Sequence, residues 1–142
     1  MDRAVLVYWS GTGNTEMMAQ SIAKGVQAGG VSADVFTVSD TTPEAVAAYD
    51  KILLGCPAMG AEVLEENEFE PFFTELEGLL SGKTVGLFGS YGWGDGEWMR
   101  LWQARAAQSG ATLFEEGLMV NETPDEEGLK ACEEFGRRFA GA

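Results

Sequence analysis

The sequence predicts an α/β fold in which a parallel β-sheet is covered by helices on both faces. Two observations predict it: short apolar runs alternate with amphipathic segments along the whole chain, and 142 residues suffice for one full hydrophobic core. The composition, 45% hydrophobic and 23% charged, is that of a globular protein. We therefore expect residues 1–142 to form one domain.

The first half of the chain contains three predicted strands. They are the apolar or β-branched runs at residues 4–9, 33–38 and 51–55. Apolar residues at every fourth position predict the buried face of a helix over residues 15–28. Thr42 followed by Pro43 favours the N-cap and first position of a second, short helix.

The second half contains two more predicted strands, at residues 83–89 and 112–120. Three helices are predicted between and after them. Their apolar faces carry Phe72, Phe73, Leu76 and Leu80; Trp98, Leu101 and Trp102; and Leu129, Cys132, Phe135 and Phe139. We interpret Thr123–Glu126 as a capping box that starts the last helix, with Pro124 at its first position.

The charge of the chain excludes several classes of function. There are 23 acidic residues, 9 basic residues and no histidine, giving a net charge of −14. Without histidine, the chain has no Ser-His or Cys-His pair and no histidine-bound metal; the sequence offers no candidate catalytic residue and no cysteine spacing typical of a metal site. The negative charge also argues against nucleic acid and membrane insertion, and favours a protein partner with a basic face.

The cysteines and the amino terminus indicate a cellular compartment. Cys56 and Cys132 form no C-x-x-C pair, so we interpret both as small buried residues in a reducing environment. The apolar run that follows Arg3 is too short for a signal sequence or a membrane span. We expect a soluble, cytoplasmic protein, and the charge favours a monomer.

The loop after the first strand has the composition of a phosphate site. Residues 10–15, Ser-Gly-Thr-Gly-Asn-Thr, link a strand to a helix, where backbone N–H groups and the helix dipole attract an anion. The loop lacks the lysine of a Walker A motif, and Glu16 replaces the third glycine of a dinucleotide fingerprint. A terminal monophosphate fits better; the alternative is a hydroxyl-rich turn that only caps the helix.

Two further loops follow the third and fourth strands, at residues 56–62 and 90–96. Trp93 lies among glycines and turn residues, where an aromatic ring suits stacking on a flat ligand. Met59 is also in a loop, and its thioether can cover an aromatic face. Ordinary loop packing is the alternative for both. Ligands bind beyond the carboxyl ends of parallel strands, so the three loops together favour a phosphorylated planar heterocycle.

Acidic residues surround the same strand ends. No base occurs between Lys51 and Lys83, and this stretch is rich in glutamate: Glu62, Glu65, Glu66, Glu68, Glu70, Glu75 and Glu77. Such a run is often only a solvated face. Its position here also predicts repulsion of a second negative charge on the ligand and attraction of a basic partner.

These three loops, taken in order, resemble the flavodoxins of the short-chain, clostridial type. The matching segments are S-G-T-G-N-T at 10–15, G-C-P-A-M-G-A-E at 55–62, E-F-E-P-F-F at 68–73 and F-G-S-Y-G-W-G-D-G at 88–96. The resemblance implies a flavodoxin-like three-layer sandwich with a five-stranded parallel sheet in the order 2-1-3-4-5. It also implies a non-covalently bound FMN that shuttles single electrons at low potential, between semiquinone and hydroquinone.

The resemblance also assigns cofactor-binding residues. The phosphate would be held by the first loop: Ser10, Gly11, Thr12, Gly13, Asn14 and Thr15. The isoalloxazine ring would lie between Met59 and Trp93, with Glu62 accepting the flavin N3–H. The two ring loops would be completed by Pro57, Ala58, Gly60, Ala61, Ser90, Tyr91, Gly92 and Gly94. A peptide flip at Gly60–Ala61 would tune the semiquinone, and the β-carbon of Ala61 departs from the residues usual there.

The leading function is therefore an electron-transfer protein rather than an enzyme. Its expected partners are basic-faced redox proteins: donors of the flavodoxin reductase type and low-potential acceptor enzymes. The alternative is an FMN-dependent reductase of quinones with NAD(P)H as donor, which needs a substrate pocket over the flavin. A phosphoacceptor receiver domain is set aside because Gly55-Cys56 stands where its acceptor aspartate would be.

Overall fold

The computed structural model describes residues 3–59, 63–92 and 94–142. Its sheet is parallel throughout and follows the order β2-β1-β3-β4-β5, with β6 also pairing with β4. The strands are β1 (Arg3–Tyr8), β2 (Ser32–Thr37), β3 (Lys51–Gly55), β4 (Thr84–Tyr91), β5 (Thr112–Leu113) and β6 (Leu118–Asn121). The predicted order 2-1-3-4-5 is confirmed.

Within the described residues, four helices lie between strands and a fifth follows the last strand. They are α1 (Asn14–Ala28), α2 (Pro43–Ala47), α3 (Phe69–Glu77), α4 (Glu97–Gln108) and α5 (Glu126–Ala140), with one 3₁₀ turn at Val38–Asp40. The short helix begins as predicted, since the Thr42 hydroxyl accepts the N–H of Ala45 at 3.2 Å. The capping box was wrong: α5 begins at Glu126, and the Asp125 side chain caps it by accepting the N–H of Gly128 at 2.8 Å.

Each face of the sheet carries its own hydrophobic core. Val5, Val7 and Leu54 face α3 and α4, whose Trp98 and Trp102 are buried as predicted. Leu6 and its neighbours face α1 and α5 on the other side. Successive strand residues point to opposite faces, and both faces are covered, so the central strands read as continuous apolar runs.

Helices α1 and α5 touch through two glycines. A β-carbon on Gly25 would lie 1.8 Å from the Glu133 carbonyl oxygen, and one on Gly136 would lie 2.0 Å from the Ile22 carbonyl oxygen. Real β-carbons do not approach backbone so closely, so this crossing requires glycine at both positions. The close approach lets α5 cover the sheet beside α1.

The predicted fifth strand, residues 112–120, is divided into β5 and β6. β4 pairs first with β5, at Val85 and Leu113, and then with β6, at Phe88 and Leu118. The segment that joins β5 to β6 therefore contains two more residues than the matching part of β4, and these form a bulge. This detour places Phe114 edge-on against Phe135 and Phe139 in the core.

The cysteines are both buried and free, as the sequence predicts. In the ranges given above, no helix is both long enough and apolar enough to span a bilayer.

Candidate functional site: three loops at the carboxyl edge of the sheet

Three loops leave β1, β3 and β4 side by side, because hydrogen bonds between the strands continue beyond the strand ends. The N–H of Trp9 donates to the Gly55 carbonyl at 3.0 Å, and the N–H of Cys56 donates to the Phe88 carbonyl at 3.1 Å. The N–H of Ala58 then donates to the Ser90 carbonyl at 3.0 Å. The predicted convergence of the three loops is therefore present.

The first loop has the form of an anion cradle. Gly13 has a positive φ of 93° and turns the chain into α1, where the Ser10 hydroxyl accepts the N–H groups of Gly13 and Glu16 at 3.1 and 3.2 Å. Within the described ranges, the N–H groups of Gly11, Thr12 and Thr15 have no acceptor. Free N–H groups beside a helix amino terminus fit a phosphate group.

Ser10 therefore also fits the alternative of a hydroxyl-rich turn that caps the helix, because its oxygen accepts N–H groups at the start of α1. Its hydroxyl proton is still available to a ligand. Asn14 and Thr12 lie in the same turn, where the Asn14 N–H approaches the Thr12 hydroxyl at 3.5 Å.

A buried pair of hydroxyls joins the first loop to the third. Thr15 Oγ1 and Ser90 Oγ are 3.1 Å apart and only 1% and 5% of each residue is exposed. The Ser90 N–H also points to Thr15 Oγ1, at 3.4 Å. Ser90 lies within β4, one residue beyond the end of the predicted strand 83–89, so the sheet holds its backbone in place.

Trp9 has a role that sequence analysis missed when it placed the residue in the buried first strand. Its ring lies over Gly11, where an added β-carbon would be 2.9 Å from the indole. Its Nε1 donates to Glu68 Oε1 at 3.1 Å. A tryptophan at the end of an apolar run gives no sequence signal for such a contact.

The second loop contains an antiparallel bridge between Met59 and Val63. The N–H of Met59 donates to the Val63 carbonyl at 2.9 Å, and the reverse bond is 3.4 Å. Pro57, Ala58 and Met59 are half-buried on its first arm. The predictions for Gly60, Ala61, Glu62 and Trp93 lie outside the described residues and stay predictions.

The third loop is supported by the end of β6. The Tyr91 carbonyl accepts the Glu122 N–H at 2.7 Å and the Asn121 side-chain amide at 3.2 Å. The same amide lies 3.5 Å from the Gly92 carbonyl. Gly94 has a φ of 92°, which glycine adopts without strain. Asn121 had no signal in the sequence, because its partners are 29 and 30 residues away.

Glu65 is the main surprise within the acidic stretch. The residue is 4% exposed, and its carboxylate accepts the N–H groups of Asn67, Glu68 and Phe69, each at 2.8 Å. Burial raises the pKa of a carboxyl group, but here the three N–H donors together outweigh it and the pKa lies below its usual value. Glu65 therefore belongs to the framework, not to the solvated face.

This pKa shift predicts an acid-sensitive fold. A carboxyl whose folded pKa is depressed stabilises the fold above its unfolded pKa, and that contribution is lost as the pH falls through the folded value. We expect unfolding of the apoprotein by urea to show that Glu65→Gln removes part of the loss of stability below about pH 4.5. Glu75→Gln, an exposed glutamate of α3, is the control. Equal pH slopes for Glu65→Gln and wild type would contradict the assignment.

The remaining acids divide into paired and free groups. Arg105 binds Glu70 at 2.7 Å and Glu77 at 3.2 Å, so those two acids are partly neutralised. Glu66 and Glu75 are exposed. Three basic residues stand at the opposite edge, where strands begin: Arg3, Lys51 and Lys83. Two of these bases are themselves ion-paired, Arg3 with Asp34 and Lys83 with Asp50.

Comparison with known proteins agrees with this architecture. The chain is 52% identical over 137 residues to a flavodoxin of Megasphaera elsdenii, covering 96% of this chain and 98% of that protein. It is 50% identical over 135 residues to a flavodoxin of Clostridium beijerinckii, covering 95% and 97%. The solution structure of two-electron reduced Megasphaera elsdenii flavodoxin superimposes with a TM-score of 0.88, at 50% identity, over 98% of this chain and 99% of that one.

The family model for flavodoxins matches residues 6–136. Flavodoxins are electron-transfer proteins that bind FMN and pass electrons to redox partners, so the expected cofactor and function are confirmed and the reductase alternative is not favoured. With nearly the whole chain matched, and with the three-loop edge in place, this protein belongs to the flavodoxin family.

Proposed function

We propose that this chain carries single electrons at low potential with an FMN held across its three loops. The observation that carries the proposal is the joining of those loops at one edge, through the Thr15–Ser90 hydroxyl pair and the Ala58–Ser90 hydrogen bond. A cofactor that has a phosphate at one end and a flat ring at the other requires such an arrangement.

The first loop is assigned to the phosphate. Its free N–H groups, at Gly11, Thr12 and Thr15, supply donors, and the α1 dipole favours the negative charge. The hydroxyls of Ser10 and Thr12 and the Asn14 amide supply further donors. No lysine or arginine occurs in this loop, so neutral groups hold the dianion.

The ring is assigned to the other two loops. Met59 would cover one face and Trp93 the other, Glu62 would accept the ring N3–H, and the backbone around Gly92 and Gly94 would line the pyrimidine end. FMN supplies one-electron redox chemistry when bound. The chain supplies the electrostatic environment of the ring. Arg100, a basic residue near the third loop, is already bound to the carboxylate and the backbone carbonyl of Asp95. Surrounding acids disfavour added negative charge, which lowers the potential.

The partner is proposed to be a redox protein with a basic face. We also propose that this chain acts as a monomer in the cytoplasm. Exposed acids beside the three loops, such as Glu66, would orient the cofactor toward such a face. Electron transfer to a lysine-rich c-type cytochrome should therefore slow as ionic strength rises.

Matched charge changes test this orientation. Glu66→Lys places a positive charge at the carboxyl edge, and Asp50→Lys makes the same change at the amino end of β3. Stopped-flow rates at low salt should fall several-fold for Glu66→Lys and much less for Asp50→Lys. Reduction of ferricyanide, an anion, should show the opposite salt dependence. Equal slowing by both variants would reject a docking face at the cofactor edge.

The function itself is tested by an anaerobic titration of the FMN-loaded protein with dithionite, followed by visible spectroscopy. We expect a long-wavelength absorption that rises during the first electron equivalent and falls during the second. Direct bleaching would retain the FMN site but favour two-electron chemistry. Failure to take up FMN would reject the assignment of the three loops.

A further inference from the structure

The segment between Cys56 and Glu65 is closed at its base. The N–H of Glu65 donates to Cys56 Sγ at 3.4 Å. Cys56 is attached to the framework from two sides, because its N–H donates to the Phe88 carbonyl and its carbonyl accepts the Trp98 indole N–H at 3.2 Å. The described residues between these two positions, 57–59 and 63–64, are therefore attached to a fixed base.

The carboxylate of Glu65 exceeds what a helix start requires. Thr42 and Asp125 begin their helices with exposed side chains that accept one N–H each. Glu65 caps the start of α3 from a buried position and accepts three N–H groups, whereas the N-cap residue Glu68 makes no capping bond with its side chain. Burying a charge is unfavourable unless it is fully hydrogen-bonded, so a plain cap is the simpler solution.

The contacts of Glu65 also extend to the phosphate loop. Its Oε1 accepts the N–H of Glu68, whose own carboxylate accepts the indole N–H of Trp9. The ring of Trp9 in turn lies over Gly11. One buried carboxylate thus connects the base of the second loop with the first loop through consecutive contacts.

We propose that Glu65 is a positioning residue for the cofactor. Its buried carboxylate fixes the base of segment 56–65 against α3, so that Met59 is held at the place where the flavin ring binds. The inference rests on the proposed assignment of the second loop to the flavin ring. It goes further by naming the group, outside that loop, which determines how firmly the loop is held.

The test is Glu65→Gln in the FMN-loaded protein. Glutamine keeps one acceptor oxygen for Glu68 and Phe69 but turns an NH₂ group toward the Asn67 N–H. We expect the FMN Kd, measured from the fluorescence released on dilution, to rise about tenfold. Both one-electron potentials should shift, and amide exchange should accelerate at residues 57–59 and 63–64.

Asp125→Ala is the matched control, since it removes the side chain that caps α5, a helix packed on the opposite face of the sheet from α3. It should lower stability without changing the Kd or the potentials. If Glu65→Gln also lowers stability but leaves the Kd within twofold and both potentials unchanged, Glu65 is only a helix cap and the inference fails.

Cys56→Ala provides a second variant that leaves the carboxylate cap intact and removes the buried thiol, with its contacts to the Glu65 N–H and the Pro57 carbonyl. It should raise the Kd about threefold. Should Glu65→Gln fail to fold, Glu65→Asp, which keeps the carboxylate but shortens the side chain, takes its place, and an unchanged Kd with unchanged potentials in that variant overturns the inference. Loss of FMN binding by the wild-type chain would instead reject the proposed function, so the two failures are distinguishable.

Discussion

Gly136→Ala is expected to destabilise the apoprotein by about 3 kcal/mol or more. The added β-carbon would lie 2.0 Å from the Ile22 carbonyl oxygen and 2.9 Å from the Val26 nitrogen. These are backbone atoms that cannot rotate away, so α1 and α5 must separate and lose contacts across one whole face of the sheet. The gain in helix propensity, about 1 kcal/mol, offsets only part of this.

Urea unfolding of the apoprotein measures the effect without the additional stability from FMN. Gly78→Ala is the control, because the nearest atom to its β-carbon would be 3.7 Å away, an ordinary contact. We expect that variant to unfold within about 0.5 kcal/mol of wild type. Equal midpoints for Gly136→Ala and Gly78→Ala would show that the two helices are not in close contact in solution.

Thr12→Asp is expected to weaken FMN binding about 100-fold while leaving the apoprotein as stable as wild type. Thr12 is exposed, so the new carboxylate is accommodated in the free protein. In the complex it would face the phosphate dianion in a loop that contains no basic residue. An acid near a helix amino terminus is itself favourable, so the fold should not suffer.

Riboflavin, which lacks the phosphate, separates this repulsion from damage to the ring site. Thr12→Asp should bind riboflavin as wild type does, and the preference for FMN should disappear. Ser32→Asp adds the same charge at the amino end of β2, on the far edge of the sheet, and should change neither affinity. Equal losses for FMN and riboflavin would mean that the first loop does not hold the phosphate.

Much of this fold is predictable because its information is local. Continuous apolar runs mark strands buried on both faces, and a run such as residues 4–9 coincides with β1 to within one residue. The hydroxyl and glycine pattern at 10–15 predicts the turn into α1, because Gly13 adopts a conformation that few other residues tolerate. The three loops follow directly once parallel strands place their carboxyl ends at one edge.

Other features escape prediction because they depend on partners distant in the chain. Glu65 and Glu66 are adjacent and chemically identical, yet one is buried under three N–H donors and the other is solvated. The division of residues 112–120 into two strands reflects the register against β4 and the packing of Phe114. Asn121 reaches Tyr91 only because β6 pairs with β4.

The sequence by itself determined the α/β class, the edge of the sheet at which the three loops meet and the net negative charge, and it predicts an anion-binding loop and a basic partner. Periodicity, glycine placement and charge are properties of short segments, so they survive without knowledge of the fold. Only the tertiary structure decided which acid is buried, that the Trp9 ring lies against Gly11, and that α1 and α5 meet through Gly25 and Gly136. Those outcomes arise from desolvation and close packing, which exist only when distant segments come together.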